Sequence, residues 1–322
     1  MGITLHGGEP LLMPKKKFES ICDRFYQELS PKVKEFDLSM QTNGVLIDKD
    51  WIKIFETYKI KLGISLDGNA DYNDVYRVDH KGTGSYNRVE KAIKLLQEHD
   101  CDFGILSVIN PQYAPKVLYN HFVNNLGITG FDFLWPDYSH DKALPFLPIK
   151  YGIFIKEIFD CWVKDDNPNI QIRFFDSYIK KFLGTSGLIY GQGSIDLDNL
   201  HLIVIRTDGD IGPTDELMST DPATVTWTNT NIFNTTLKQF FAVPIFKELD
   251  TAFTNSPDLC KKCCWENVCG GGGIVNRFSK KHRFNNPSVY CEGLKIFHTE
   301  LFQYLIKSGI SAEQLKSQLL SS

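Results

Sequence analysis

The chain has 322 residues, 42% hydrophobic and 23% charged, enough to bury the core of one large domain or two smaller ones. Its 35 Lys and Arg against 39 Asp and Glu leave a net charge of -4, which excludes a strongly basic nucleic-acid surface and an acidic solvated tail. No run approaches the ~18 apolar residues of a membrane span, and Met1-Gly2-Ile3-Thr4-Leu5-His6 is no secretion signal, so a soluble cytoplasmic protein is expected.

From the front, residues 3–6 form a short apolar strand that runs into Gly7-Gly8-Glu9-Pro10. Phe18, Ile21, Cys22, Phe25, Tyr26 and Leu29 recur at helical spacing across 15–30. A strand over 36–40 ends in Gln41-Thr42-Asn43-Gly44, a helix follows over 49–58, and a strand over 61–66 ends at Asp67-Gly68. Val89, Ala92, Ile93 and Leu96 mark one face of a helix over 85–99. A strand at 103–109, a helix at 115–125, a strand at 130–135 and a helix at 151–163 complete the series. This alternation predicts an α/β fold of βαβ units around a parallel sheet, with its chemistry in the loops after the strands' carboxyl ends.

The pattern breaks at 165–169, which divides the chain into expected portions 1–165 and 166–322. Residues 170–183 are mixed, 184–194 are rich in Gly and Ser, and 200–206 read as an apolar strand reaching a turn at Asp208-Gly209-Asp210. An amphipathic helix over 292–307 and a shorter one after Ser311 follow the cysteine-rich region.

Five of the eight cysteines crowd residues 260–291, a density that in a reducing compartment points to metal rather than disulfides. Cys260-Lys261-Lys262-Cys263 is a CxxC, Cys269 supplies a third thiolate and Cys291 a fourth. A structural zinc and an iron–sulfur cluster compete for this set. Zinc ribbons use two short CxxC knuckles, and here there is one. Gly270 to Gly273 leave the backbone beside Cys269 free to approach a cluster and donate N–H groups to its sulfurs. Cys264 adjoins Cys263 and is expected to point elsewhere, a bystander like Cys22, Cys101 and Cys161.

Four segments then match a family in order and spacing. Gly7-Gly8-Glu9-Pro10 after a strand, Gln41-Thr42-Asn43-Gly44, Ile64-Ser65-Leu66-Asp67-Gly68 and residues 75–85 resemble radical S-adenosylmethionine (SAM) enzymes. The tail resembles a SPASM domain, the extension that binds auxiliary 4Fe–4S clusters. Within that group, Cys269 and its glycines, Arg277-Phe278 and residues 284–291 are most similar to maturases that build cyclophanes in ribosomally made precursor peptides. The resemblance implies a partial (β/α)6 barrel joined to a SPASM-like domain, acting on a precursor peptide with an electron donor such as flavodoxin or ferredoxin.

Residue by residue, it implies that Gly7, Gly8 and Glu9 hold the amino group of SAM. Ser65 and Arg77, twelve residues apart, would contact its carboxylate, as in anaerobic sulfatase maturases. Taken singly, the glycines also suit a turn, Ser65 a cap and Arg77 a solvated face. Asp215 matches the aspartate that acts as a base in those maturases, and equally suits a turn beside Asp208-Gly209-Asp210. Cys260, Cys263, Cys269 and Cys291 correspond to the ligands of the outer auxiliary cluster. Thr214 and Gly273 stand where the inner cluster has cysteines, so one auxiliary cluster is expected. No CxxxCxxC is present to ligate the cluster that cleaves SAM. The expectation is therefore a fragment that lacks the barrel's first strand and helix, leaves a strand edge uncovered and is inactive alone. Two alternatives are a non-catalytic peptide- or cluster-binding protein, and a maturase of sulfatase or thioether type.

Overall fold

In the computed structural model, which describes residues 1–185, 203–212, 215–218 and 230–320, six parallel strands form one sheet in chain order. They are β1 (Gly2–Leu5), β2 (Asp37–Thr42), β3 (Lys61–Ser65), β4 (Phe103–Val108), β5 (Gly130–Leu134) and β6 (Gln171–Ile172). The pairings run through Gly2↔Asp37, Ser39↔Lys61, Leu62↔Phe103, Ile105↔Phe131 and Gly130↔Gln171. The first five strands stand where hydrophobic patterning places them, and β1 forms one edge of the sheet. The stretch 170–183 divides into two elements: β6, too short to carry a periodic signal, and helix α7 (Arg173–Phe182).

The crossovers are α1 (Lys15–Glu28), α2 (Lys49–Tyr58), α3 (Ala70–Asn73), α4 (Tyr86–Glu98) and α5 (Pro115–Asn120), the last continuing into a π turn at His121–Asn125. Asp48 starts α2 by accepting hydrogen bonds from the amides of Asp50 and Trp51. Leu38, Met40, Leu62 and Ile64 are buried on one face of the sheet, as are the helix residues Phe18, Trp51, Ile52, Val89 and Ile93. Between them along the strands, Ser39, Gln41, Gly63 and Ser65 are only half-buried. A parallel sheet covered on both faces reads as continuous apolar runs. The alternation here gives one apolar face and one polar, partly open face.

Two compact units result. The first comprises Met1–Val108, Gln112–Leu134 and Cys161–Ile172; the second comprises Ile109–Pro111, Trp135–Asp160 and Arg173–Ser322. Each is assembled from segments distant in sequence, and helix α6 (Pro148–Asp165) contributes to both.

The second unit contains α7, α8 (Asp215–Met218), α9 (Leu237–Phe241), α10 (Pro244–Thr254), α11 (Glu266–Cys269), α12 (Ile274–Arg277), α13 (Cys291–Lys307) and α14 (Ala312–Leu320). A two-stranded antiparallel ladder joins β7 (Val204–Ile205) to β8 (Ile211–Gly212). The loop expected at 184–194 lies outside the described residues from 186 onward, as does the front of the strand expected at 200–206. No element is expected at α9 and α10, yet both carry local signals: a Thr236/Gln239 capping box and Pro244 at a helix N-terminus.

Where α6 meets α13, two glycines face each other. A Cβ on Gly152 would lie 2.3 Å from the carbonyl oxygen of Gly293, and one on Gly293 would lie 2.6 Å from that of Pro148. Around this contact Phe159, Phe174, Phe175, Tyr178 and Phe297 pack in edge and stacked pairs. Gly152→Ala is expected to force the helices apart at a cost of about 3 kcal/mol, a fall in Tm on the order of 5–10 °C by thermal denaturation. A Tm unchanged in that variant would show that the crossing tolerates a methyl group.

Candidate cofactor and cluster sites

In the first unit, Gly7, Gly8 and Glu9 follow β1 and Ser65 ends β3, with β2 between the two strands, while Arg77 lies beyond α3. Gly7 and Gly8 follow β1 with φ of 75° and 44°, in the region that disfavours side chains, and nothing lies within 4 Å of where their Cβ atoms would be. The glycines therefore serve backbone conformation and leave open space beside the loop. Glu9 ties this loop to β2: Oε1 accepts from Thr42 Oγ1 at 2.6 Å and from Leu11 N at 3.1 Å, and Oε2 accepts from Asn43 N at 2.9 Å. A carboxylate has about four acceptor positions, so Glu9 keeps one for a ligand.

Ser65, at the end of β3, accepts a hydrogen bond from Gln41 Nε2 at 2.9 Å. The Gln41 side chain lies over Gly63, where a Cβ would stand 2.1 Å from its Oε1. Gly63 is thus the residue that lets a glutamine cross the polar face. Arg77 is not on a solvated face: its Nε donates to Asp67 Oδ2 at 2.6 Å and an Nη to Oδ1 at 3.2 Å. Asp67 is nearly buried and also accepts from the Val108 amide at 2.8 Å, while its own amide donates to Asn73 Oδ1. Two of the five guanidinium N–H groups are used in this fork, which fixes the plane in which the others point.

In the second unit, one pocket brings together Cys260, Cys263, Cys269 and Cys291. The pocket opens to solvent and is also lined by Trp265, Glu266, Gly271, Pro287, Leu294, Lys295 and His298. Cys269 ends α11 and Cys291 begins α13, while Cys260 and Cys263 sit on consecutive turns whose amides donate to Pro257 and Cys260 carbonyls. Burial and the neighbouring thiols push Cys260 up to about 11 and Cys269 up to about 12. Burial also raises Cys291, against the pull of Lys295. Such thiols ionise when a metal takes their protons' place.

Among the described residues no three His, Cys, Asp or Glu side chains are set to hold a single metal ion. A tetrahedral zinc with bonds of about 2.3 Å needs sulfurs about 3.8 Å apart. Four thiols spread around one pocket suit a polynuclear cluster better. The glycines beside Cys269 do more than remove side chains. Gly270, Gly271 and Gly272 all have positive φ, and Cβ atoms on Gly271 and Gly272 would clash with Pro257 and Ser288 at 2.6 Å. The Gly271 amide donates to the Cys269 sulfur. Arg277 is a buried strut whose guanidinium donates to the carbonyls of Ala252, Asn255, Gly270 and Phe284.

Cys264 is exposed and outside the pocket lining. Asp215 is the first residue of α8, but its side chain lies outside the described residues, as does Thr214 entirely.

Residues 2–113 match the family profile of the radical SAM superfamily. Over that segment the chain is similar to radical SAM enzymes. It is 28% identical over 316 residues to the cysteine-type anaerobic sulfatase-maturating enzyme of Clostridium perfringens (strain 13 / Type A), covering 94% of this chain and 82% of that protein. It is 26% identical to the serine-type enzyme of Bacteroides thetaiotaomicron, covering 99% and 80%. The solved structure of native anSMEcpe with bound AdoMet and Cp18Cys peptide superposes with a TM-score of 0.82 at 27% identity, covering 95% of this chain and 85% of that one. These relatives are sulfatase-maturating enzymes, whereas the tail motifs were expected to align the chain with cyclophane maturases. Among the described residues, no helix is long and apolar enough to cross a membrane.

Three residues stand beside these sites without having been singled out for them: Asp67, Gln41 and His298. Asp67 and Gln41 lie within the quoted motifs, directly at strand ends, which was signal enough to mark them. His298 is a polar residue on the apolar face of α13, between Leu294 and Leu301, and only its surroundings give it meaning.

Proposed function

We propose that the chain carries the SAM-binding face and one auxiliary 4Fe–4S site of an enzyme that modifies a side chain of a peptide or protein. The observation that supports this is that Gly7, Gly8 and Glu9 follow β1, Glu9 is bonded to the end of β2, Ser65 ends β3 and Arg77 is held by Asp67 just beyond β3, all inside the matched segment. When bound, SAM and a reduced 4Fe–4S cluster supply one-electron chemistry that removes hydrogen from an unreactive carbon. The chain's own part is positional. Glu9 offers its remaining acceptor to the SAM ammonium, and the Gly7-Gly8 turn leaves room for it. Ser65 and the outer N–H groups of Arg77 face the carboxylate, with Asp67 holding the guanidinium plane. Cys260, Cys263, Cys269 and Cys291 would hold the auxiliary cluster, and Asp215 would serve as base.

The relatives favour sulfatase-type oxidation of a Cys or Ser side chain. Cyclophane cross-linking of an aromatic ring to a β-carbon is the second reading, favoured by Arg277-Phe278 and residues 284–291. A precursor peptide as substrate, a flavodoxin- or ferredoxin-like donor, a cytoplasmic setting and portions at 1–165 and 166–322 complete the proposal. The cluster that cleaves SAM would take its ligands from outside these 322 residues, which contain no CxxxCxxC.

The test is anaerobic equilibrium dialysis of labelled SAM against the reconstituted chain. Binding is expected, weakened at least tenfold by Arg77→Leu; equal retention by the variant removes Arg77 from the site. With SAM and dithionite the chain is expected to release no 5′-deoxyadenosine, and its release would overturn the assignment of the missing ligands. Mass spectrometry of Cys-containing and aromatic peptides, with the CxxxCxxC segment supplied, separates the readings: sulfur replaced by oxygen together with the loss of two hydrogens, or two hydrogens lost alone.

A further inference from the structure

His298 is fully buried on α13, seven residues beyond Cys291, and neither ring nitrogen has a hydrogen-bond partner. Aromatic rings surround it, with centroids at 4.9 Å for Tyr178, 5.9 Å for Trp265 and Phe297, and 6.3 Å for Phe182. These rings fill space well but accept N–H groups weakly. Leaving a buried polar atom unpaired is costly, and native interiors rarely do so. A phenylalanine would pack against the same neighbours without that cost. His298 is also one of the residues lining the pocket shared by Cys260, Cys263, Cys269 and Cys291. Burial leaves the ring neutral, its basicity lowered to about 3, so it has one N–H to give.

We infer that His298 donates a ring N–H to a sulfur of the iron–sulfur cluster held by Cys260, Cys263, Cys269 and Cys291. This rests on the cluster reading above. His298 is then a positioning residue, not a ligand. The bond answers the orphaned nitrogen and draws charge from the sulfur. Because the reduced cluster carries more negative charge, the bond stabilises it more than the oxidised form and raises the reduction potential. The Gly271 amide acts in the same sense on the Cys269 sulfur.

The experiment compares the anaerobically reconstituted full chain with His298→Phe and His298→Asn, by iron and sulfide content and by optical redox titration. All three are expected to bind about four irons per chain. At a poise equal to the wild-type midpoint, the reduced-to-oxidised ratio of His298→Phe is expected to fall about tenfold, which corresponds to a bond about 1.4 kcal/mol stronger to the reduced than to the oxidised cluster. His298→Asn, which keeps an N–H donor, should recover much of that ratio. Less iron in His298→Phe but not in His298→Asn also supports the bond. Equal ratios in wild type and His298→Phe, or equal iron loss in both variants, overturn it while leaving the cluster in place. Absence of iron from the wild type, or zinc in its stead, overturns the cluster reading and this inference with it.

Discussion

Cys269→Ala is expected to cut bound iron from about four per reconstituted chain to less than one, and to abolish the visible absorption of the cluster. The magnitude follows from the position of this sulfur. Cys269 ends α11, where its amide is bonded to the Trp265 carbonyl, and its thiol already receives the Gly271 N–H. The other described thiols, Cys22, Cys101, Cys161 and Cys264, are not among the residues that line the pocket. Cys264→Ala is the matched control and is expected to leave iron unchanged. Retention of four irons by Cys269→Ala, or equal loss in both variants, would show that the four-thiol assignment is wrong.

Asp67→Ala is expected to destabilise the first unit by about 3 kcal/mol. Three interactions end together: both arms of the Arg77 fork and the acceptor for the Val108 amide. The larger share comes from what is left behind, a mostly buried guanidinium and a strand-end N–H without partners. Asp67→Asn keeps an oxygen for Val108 and removes the charge, so about half the loss is expected. Urea denaturation of the full chain reads the stability, and SAM dialysis reads the site, where a tenfold loss of affinity is expected as Arg77 leaves its plane. A loss of affinity without a loss of stability would mean that Asp67 meets SAM directly and does not act through Arg77.

Much of both sites could be read in the chain before folding. The five longer strands and their helices follow from local periodicity, which each segment carries in its own residues. Each glycine-rich or polar motif falls at a strand end for the same reason. Spacing also grouped the cysteines, since CxxC, Cys269 and Cys291 share one short stretch. The glycine run was legible as a close approach, though what Gly271 and Gly272 approach, Pro257 and Ser288, was not.

The limits of that reading have a physical cause. Hydrogen-bond partners and packing contacts between residues far apart have no periodic trace. Arg77 reads as a ligand contact or a solvated charge, and tertiary structure gives it to Asp67, which in turn holds an amide 41 positions away. Gly63 reads as an ordinary strand glycine, yet it makes room for Gln41 across two paired strands. β6 has two residues, too few for a pattern, and exists because β5 offers an open edge. By itself the sequence determined the order of strands and helices, the strand-end motifs and the four thiols. Only the tertiary structure decided which charges pair and which helices touch through Gly152 and Gly293. It also decided that the imidazole of His298 is buried without a partner, in the lining of the thiols' pocket. Those outcomes depend on which surfaces meet when the chain closes, and burial then makes every unpaired group costly.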